Sequence, residues 1–215
     1  MPCPITTKKQ SESKCGNPAE KIPTDYSLSG LIDYYLSTWP DPFDGIKDLK
    51  TTIDYICGRP NQANPKIVST NDGKQKRKYV KDGHQHRMPS ETVEMAAEKL
   101  KNISPADFND FDTFIVKVEE IADGIDQFGR LAIYDFCFRK GRNSGLYPEK
   151  KVYLQAGALT GAKNLANAGY ITLPKNTWAV NIEIFPSELQ ALGADHIENF
   201  LCDMAIFLAK INPPK

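Results

Sequence analysis

Apolar side chains recur at helical spacing along most of the chain. Over residues 28–36, and again over 46–56, they fall three and four positions apart, which is the repeat of a helix with one buried face. Pro40 follows the first of these segments and Gly58 follows the second, and both residue types interrupt helices. The pattern therefore predicts two helices ahead of residue 60.

The same spacing predicts further helices towards the C-terminus. The segments are 90–100 with Ser90 as N-cap, a short turn at Ser104-Pro105, 111–121, Arg130 to about Arg139, 152–166, a short turn capped by Ser187 and Gln190, and a last helix from Asp195 to Ile211. Residues 170–173 and 180–184 have the composition of strands, so they form either a small β-hairpin or extended loops.

Two polar segments lack this spacing. Residues 1–24 show no apolar period and are expected to be a flexible arm. Residues 59–89 are polar and basic, and they are expected to form a long loop. The fold class is therefore all-α, or mostly so, with residues 25–215 as a single domain. Its hydrophobic centre is expected to combine the helices of 111–139 with the C-terminal helix.

Composition narrows the class of protein. Apolar residues make up 40% and charged residues 25%, which is the balance of a globular chain with its own core. No apolar window is long enough for a membrane span, and the N-terminal segment lacks the apolar stretch of a secretory signal. The five cysteines are odd in number and widely spaced, which favours a reducing compartment and predicts a cytoplasmic protein.

The charge of the chain is balanced, with 27 basic and 27 acidic side chains. Binding to nucleic acid would therefore need a local basic patch, because the whole domain lacks the usual positive charge. The most basic segment lies in the predicted loop and has Tyr79 within it; its basic residues are Lys74, Lys76, Arg77, Lys78, Lys81 and Arg87. Such a run suits contact with a phosphate backbone, or it is simply a solvated loop.

The connector between two central helices carries a motif. The stretches 121–125 (Ile-Ala-Asp-Gly-Ile) and 128–132 (Phe-Gly-Arg-Leu-Ala) resemble a helix-hairpin-helix element. In that motif the backbone N–H groups of a glycine-containing turn hold a phosphate oxygen, and the resemblance makes Gly124, Gly129 and Arg130 candidate contacts. The usual motif has a single residue between its glycines, whereas four separate them here. The alternative is an ordinary corner between two packed helices.

A wider resemblance covers roughly residues 80 to 205. Its segments are 82–87, 131–135 with Arg139 and Gly141, 151–158, 161–163 and 197–202. Together with the hairpin they are similar to a group of uncharacterised bacterial proteins that distantly resembles the helix-hairpin-helix DNA glycosylases. The group has no established function, so this resemblance implies none for the chain.

Catalysis by a glycosylase mechanism would require a carboxylate in the segment after the second hairpin helix. Gln155 stands there, with Glu149 as the nearest carboxylate, and a glutamine cannot activate water as a carboxylate does. If the protein is an enzyme that acts on nucleic acid, the candidate catalytic residues are Asp135, Glu149 and His84. Asp135 and Arg139 also have the spacing of an ordinary helix-supporting pair.

His84 and His86 flank one residue and precede Arg87. In an extended segment they would share a face and could ligate a metal, but His196 is the only other histidine. They are interpreted as surface loop residues or as phosphate contacts, and no metal or cofactor is expected.

The leading hypothesis is a DNA-binding or other nucleic-acid-binding protein that uses the hairpin glycines and the basic loop. An enzyme related to base-excision glycosylases is one alternative, and a protein-interaction module without nucleic-acid affinity is the other. No membrane partner is expected.

Overall fold

The computed structural model describes residues 22–39, 66–69, 75–78, 88–142 and 144–214. The predicted arm up to residue 21 and the predicted helix over 46–56 lie outside these ranges. Within them, no helix is both long enough and apolar enough to cross a bilayer.

Helices make up most of the described chain, so the predicted fold class is confirmed. They are α1 (Leu28–Thr38), α2 (Ser90–Leu100), α3 (Phe111–Ala122), α4 (Arg130–Arg142), α5 (Ala156–Asn167), α6 (Ser187–Gln190), α7 (Ala194–Asp203) and α8 (Ala205–Leu208), with single 3-10 turns at Pro105–Asp107 and Ile182–Ile184. The predicted last helix is interrupted at Met204, where the backbone leaves helical geometry (φ −92°, ψ 3°), so that α7 and α8 are separate.

Two antiparallel pairs of strands accompany the helices. Strands β1 (Lys66–Ser69) and β2 (Gln75–Lys78) pair inside the segment that was expected to be a loop. Strands β3 (Lys151–Tyr153) and β4 (Ala179–Asn181) pair with Val152 opposite Val180. The helix predicted from residue 152 is therefore wrong at its start, because β3 occupies that position. The strand content near 180 is used, but its partner is β3 and not residues 170–173.

Side-chain caps fix the starts of two helices. Asp110 Oδ1 accepts a hydrogen bond from the Thr113 backbone N–H at 2.7 Å, at the start of α3. Ser27 Oγ accepts one from the Gly30 N–H at 3.1 Å, at the start of α1. Such bonds satisfy backbone donors that a helix leaves unpaired in its first turn.

The caps predicted at Ser90 and Ser187 are wrong by one position. Pro89 and Pro186 occupy the N-cap positions, and neither has a side-chain capping hydrogen bond. The two serines are the first helical residues instead. Gln190 Nε2 donates to the Phe185 carbonyl at 2.7 Å, so its side chain returns to the chain before the helix without forming a capping box.

The apolar side chains form two clusters where one centre was predicted. The first cluster joins α2, α3 and α4, and Tyr153 also belongs to it. The second cluster joins α1, α5, α7 and α8. The C-terminal helices thus pack against α1 and α5 and not against α3. Strand β3 lies between the clusters, because successive side chains of a strand point to opposite sides and Val152 belongs to the second cluster.

Candidate nucleic-acid interface

The connector between α3 and α4 is anchored by two buried apolar side chains. Ile125 is 6% exposed and Phe128 is 4% exposed, and both belong to the first cluster. The Ile125 N–H donates to the Ala122 carbonyl at 3.0 Å, and the Phe128 N–H donates to the Ile125 carbonyl at 3.2 Å. The insertion relative to the usual hairpin motif thus folds as two successive tight turns. The residues between the anchors face solvent.

The two candidate glycines differ in what they require. Gly124 has φ of +75°, a backbone conformation that residues other than glycine rarely adopt. Gly129 needs no such conformation, and a Cβ built on it would meet no atom within 4 Å. Gly129 therefore leaves open space next to an exposed backbone. This is the condition that close approach of a phosphate would need.

The start of α4 follows directly. Its first helical hydrogen bond, between residues four apart, runs from the Ile133 N–H to the Gly129 carbonyl at 3.0 Å. The N–H groups of the helical residues before Ile133 therefore have no acceptor within the helix. Helix α4 is 13 residues long, and its aligned peptide dipoles place partial positive charge at this end. Arg130, the first residue of the helix, is exposed.

Helix α2 holds the connector in place from the side. Thr92 Oγ1 donates to the Asp126 carbonyl at 2.9 Å, and Lys99 Nζ donates to the Asp123 carbonyl at 3.1 Å. Both contacts use backbone oxygens, so the connector carbonyls are occupied on the α2 side. The carboxylates of Asp123 and Asp126 are exposed, and their negative charge partly offsets the positive charge of Lys99 and Arg130. The local field at the connector is therefore mixed.

The structure brings only some of the candidate residues together. Gly124, Gly129 and Arg130 share the connector and the start of α4. Lys76, Arg77 and Lys78 lie on β2. The remaining candidates of the basic segment lie outside the described residues: Lys74, Lys81, His84, His86 and Arg87.

The candidate catalytic carboxylates are placed apart from the connector surface. Asp135 is 8% exposed, in the middle of an α4 segment whose residues from Ala132 to Phe138 are all buried. Its burial leaves little surface for a substrate. Glu149 is exposed on the bend that precedes β3.

The thiols offer no activated nucleophile among the described cysteines. Burial raises the pKa of the Cys137 thiol well above its ordinary value. Burial, followed by the nearby carboxylates of Glu198 and Asp203, raises the pKa of Cys202 to about 11. Both thiols therefore stay protonated at neutral pH, and nucleophilic chemistry needs the thiolate.

Within the described ranges, no three His, Cys, Asp or Glu side chains are grouped so as to hold a metal ion.

Three polar contacts were not predicted from the sequence. Arg142 Nη1 lies 2.5 Å from Asp195 Oδ2, with the Asp195 side chain only 8% exposed. Tyr153 OH donates to Asp112 Oδ1 at 2.7 Å, and Lys151 Nζ lies 3.0 Å from the other oxygen of that carboxylate. These contacts join residues far apart in sequence, so no local pattern indicates them. The alternation in Lys-Val-Tyr-Leu over 151–154 is the sequence feature that indicates strand β3, which positions Lys151 and Tyr153. It is too short to distinguish a strand from a helix.

The ribbon of β1 and β2 gathers basic positions. Its register pairs Lys66 with Lys78 and Val68 with Lys76. Because paired and alternate positions of an antiparallel ribbon share a face, positions 66, 68, 76 and 78 lie on one side, and three of the four are lysine.

Comparison of the chain with protein-family models, with curated proteins and with solved structures gave no match. No relative therefore assigns a role to any of these residues.

Proposed function

We propose that this protein binds nucleic acid, DNA in the first instance, by contacting its phosphate backbone. The observation that carries the proposal is the start of α4, where Gly129 leaves open space beside the unpaired N–H groups and Arg130 is exposed. The N-terminus of a helix favours anions because its donors and its dipole both point at them.

The connector alone would bind weakly. Asp123 and Asp126 are exposed beside it and reduce the local positive potential. The β1–β2 ribbon supplies the additional charge that the proposal needs, with lysines at positions 66, 76 and 78 on one face. Each phosphate that a lysine neutralises releases condensed counterions, so the affinity should fall steeply with salt and depend little on base sequence.

The first experiment measures fluorescence anisotropy of labelled single-stranded and duplex DNA at about 50 mM and about 200 mM salt. The wild-type chain is expected to bind with micromolar affinity at the lower salt concentration, and binding should weaken by at least about tenfold at the higher one. No binding to either DNA at low salt would contradict the proposal. A stoichiometric protein partner found in that case would favour an interaction module.

Variants then locate the contact. Gly129→Ala should keep the fold, because its Cβ meets nothing within 4 Å, and should weaken binding several-fold by obstructing the phosphate. Gly124→Ala has a matched control in Gly145→Ala, since both glycines have φ of +75° and open space around the Cβ position. Both variants carry the same backbone strain, so a larger loss of binding by Gly124→Ala would be specific to the connector.

The ribbon is tested by replacing the three lysines of its basic face, Lys66, Lys76 and Lys78, together with alanine. The salt dependence of log K should become shallower by roughly one unit for each lost phosphate contact. The control removes the same charge from three exposed lysines on helices or near the chain end: Lys117, Lys163 and Lys210. Equal losses from both triple variants would indicate a general charge effect and would remove the ribbon from the proposal.

A further inference from the structure

A column of aromatic rings leads from the first cluster to the surface near the start of α4. The ring centroids of Trp178 and Tyr153 lie 5.2 Å apart at an interplanar angle of 64°. The Tyr153 ring in turn lies 5.4 Å from that of Tyr134 and 5.5 Å from that of Phe111. The three inner rings are buried, whereas Trp178 is only partly buried and forms the outer end of the column.

The outer end of this column lies beside the proposed phosphate contact. The guanidinium carbon of Arg130 lies 5.1 Å from the centroid of the Trp178 ring. Arg130 is the first residue of α4 and follows Gly129 directly. An aromatic ring and a planar cation therefore stand next to the backbone donors that would hold a phosphate.

Trp178 is held at its backbone and is supported along one side of its ring by Tyr153. Its carbonyl accepts a hydrogen bond from the Leu154 N–H at 2.7 Å, and β4 begins at the next residue. Behind it, the hydroxyl of Tyr153 is held by Asp112. A preset ring loses little conformational freedom when a ligand stacks on it, which favours binding.

We infer that Arg130 and Trp178 form a stacking platform for an unpaired nucleobase, and that the protein prefers single-stranded nucleic acid to a closed duplex. This inference rests on the proposed function. Bases stack on aromatic rings and on guanidinium planes regardless of their identity, whereas the bases of an intact duplex are already stacked on one another. The phosphate contact and the platform would then hold adjacent parts of one strand.

The two tryptophans of the chain allow a direct test. Trp39 lies in the second cluster, 5.8 Å from the Tyr35 ring, so it serves as a matched internal control. Trp39→Phe leaves Trp178 as the only indole, and Trp178→Phe leaves Trp39. Titration with unlabelled oligothymidylate should quench the emission of the Trp39→Phe variant strongly and change that of the Trp178→Phe variant little.

Affinity provides an independent readout. Trp178→Leu keeps an apolar side chain at the edge of the first cluster but removes the stacking ring, and we expect about a tenfold loss of affinity for the single strand. Affinity for duplex DNA should change much less. Arg130→Lys keeps the charge and removes the plane, so it should weaken single-strand binding without altering the salt dependence. Circular dichroism of each variant verifies that it is folded.

The possible results separate this inference from the proposed function. Salt-sensitive binding of equal strength to single-stranded and duplex DNA, with unchanged Trp178 emission, would overturn the platform and leave phosphate binding intact. Retention of full single-strand affinity by Trp178→Leu would also overturn the platform. Absence of binding to any DNA would overturn both.

Discussion

At the scale of single residues, Asp110 shows how one carboxylate fixes the start of helix α3. Its oxygen accepts the Thr113 N–H at 2.7 Å. This hydrogen bond from the Thr113 backbone is the main reason that the pKa of Asp110 is lowered. A carboxylate with a lowered folded-state pKa stabilises the fold above its unfolded pKa, and that contribution is lost as the pH falls through the folded-state value.

We therefore expect Asp110→Ala to lower the free energy of unfolding by about 1 kcal/mol at neutral pH. Asp110→Asn should retain most of the stability, because asparagine also caps helices and does not titrate. As the pH falls below about 4, the wild type should lose stability relative to Asp110→Asn. Urea unfolding at several pH values measures the difference, and a constant difference would show that the cap contributes no pH dependence.

Two buried tyrosines form a contrasting pair. The Tyr134 hydroxyl is buried and has no hydrogen-bond partner among the described residues, whereas that of Tyr153 donates to Asp112 at 2.7 Å. Burial is the largest cause of the raised pKa of both hydroxyls. Neither tyrosine is therefore available as a base near neutral pH.

Removal of the two hydroxyls should have opposite consequences. Tyr134→Phe should leave the free energy of unfolding unchanged or raise it by up to about 1 kcal/mol, because it removes a polar group that is buried without a partner. Tyr153→Phe should lower it by about 1 to 2 kcal/mol, because Asp112 loses a donor. Chemical denaturation gives both values, and a larger loss for Tyr134→Phe would mean that its hydroxyl has a partner after all.

At the scale of elements, two glycines set the approach of α5 to α7. A Cβ on Gly161 would lie 2.1 Å from the Leu201 carbonyl oxygen, and a Cβ on Gly157 would lie 2.6 Å from Cys202 Sγ. Real Cβ atoms do not come so close to other atoms. The two helices can therefore pack at this distance only with glycine at position 161, whereas a Cβ at position 157 would require the Cys202 side chain to shift. The sequence showed these glycines only as residues that weaken a helix.

Gly161→Ala should therefore destabilise the protein by about 1 to 3 kcal/mol, despite the higher helix propensity of alanine, because the obstructing atom belongs to the backbone. Gly129→Ala is the control, with open space around its Cβ and an expected change within about 0.5 kcal/mol. Thermal and urea denaturation compare the two variants. Equal effects would mean that α5 and α7 can separate without loss of stability.

The sequence predicts elements that depend on local spacing and misses those that depend on distant partners. The amphipathic repeat predicts α1, α3 and α4 to within a few residues. It misassigns β3, because Val152 is followed by Ala156 and Leu159 at helical spacing and the pairing partner β4 begins only at Ala179. At the candidate site, the connector glycines and Arg130 follow from a motif. The position of Trp178 beside Arg130 depends on the β3–β4 pairing and has no local signal.

At the scale of the whole molecule, the two clusters are joined through shared parts. Strand β3 contributes Tyr153 to the first cluster and Val152 to the second. The ion pair of Arg142 with Asp195 connects α4 to α7 at a position where the Asp195 side chain is only 8% exposed. Separation of the clusters would break this ion pair and would expose the side chains of β3 that are buried on its two sides.

We therefore expect the clusters to unfold together. The single-tryptophan variants report on them separately, because Trp178 packs against the first cluster and Trp39 against the second. Their emission should give the same urea midpoint, and circular dichroism should give that midpoint as well. An earlier transition for Trp39 would show that the second cluster opens independently.

The hydrogen bond from the Asn212 N–H to the Tyr26 carbonyl, at 2.9 Å, lies at the edge of the second cluster, which unites α1 with the C-terminal helices. The first cluster uses nearly continuous chain from Met88 to Phe138, so its contact order is low and it should nucleate folding. During synthesis, the apolar face of α1 stays uncovered until α7 and α8, against which it packs, have left the ribosome. That face is then the part of the nascent chain most in need of chaperone protection.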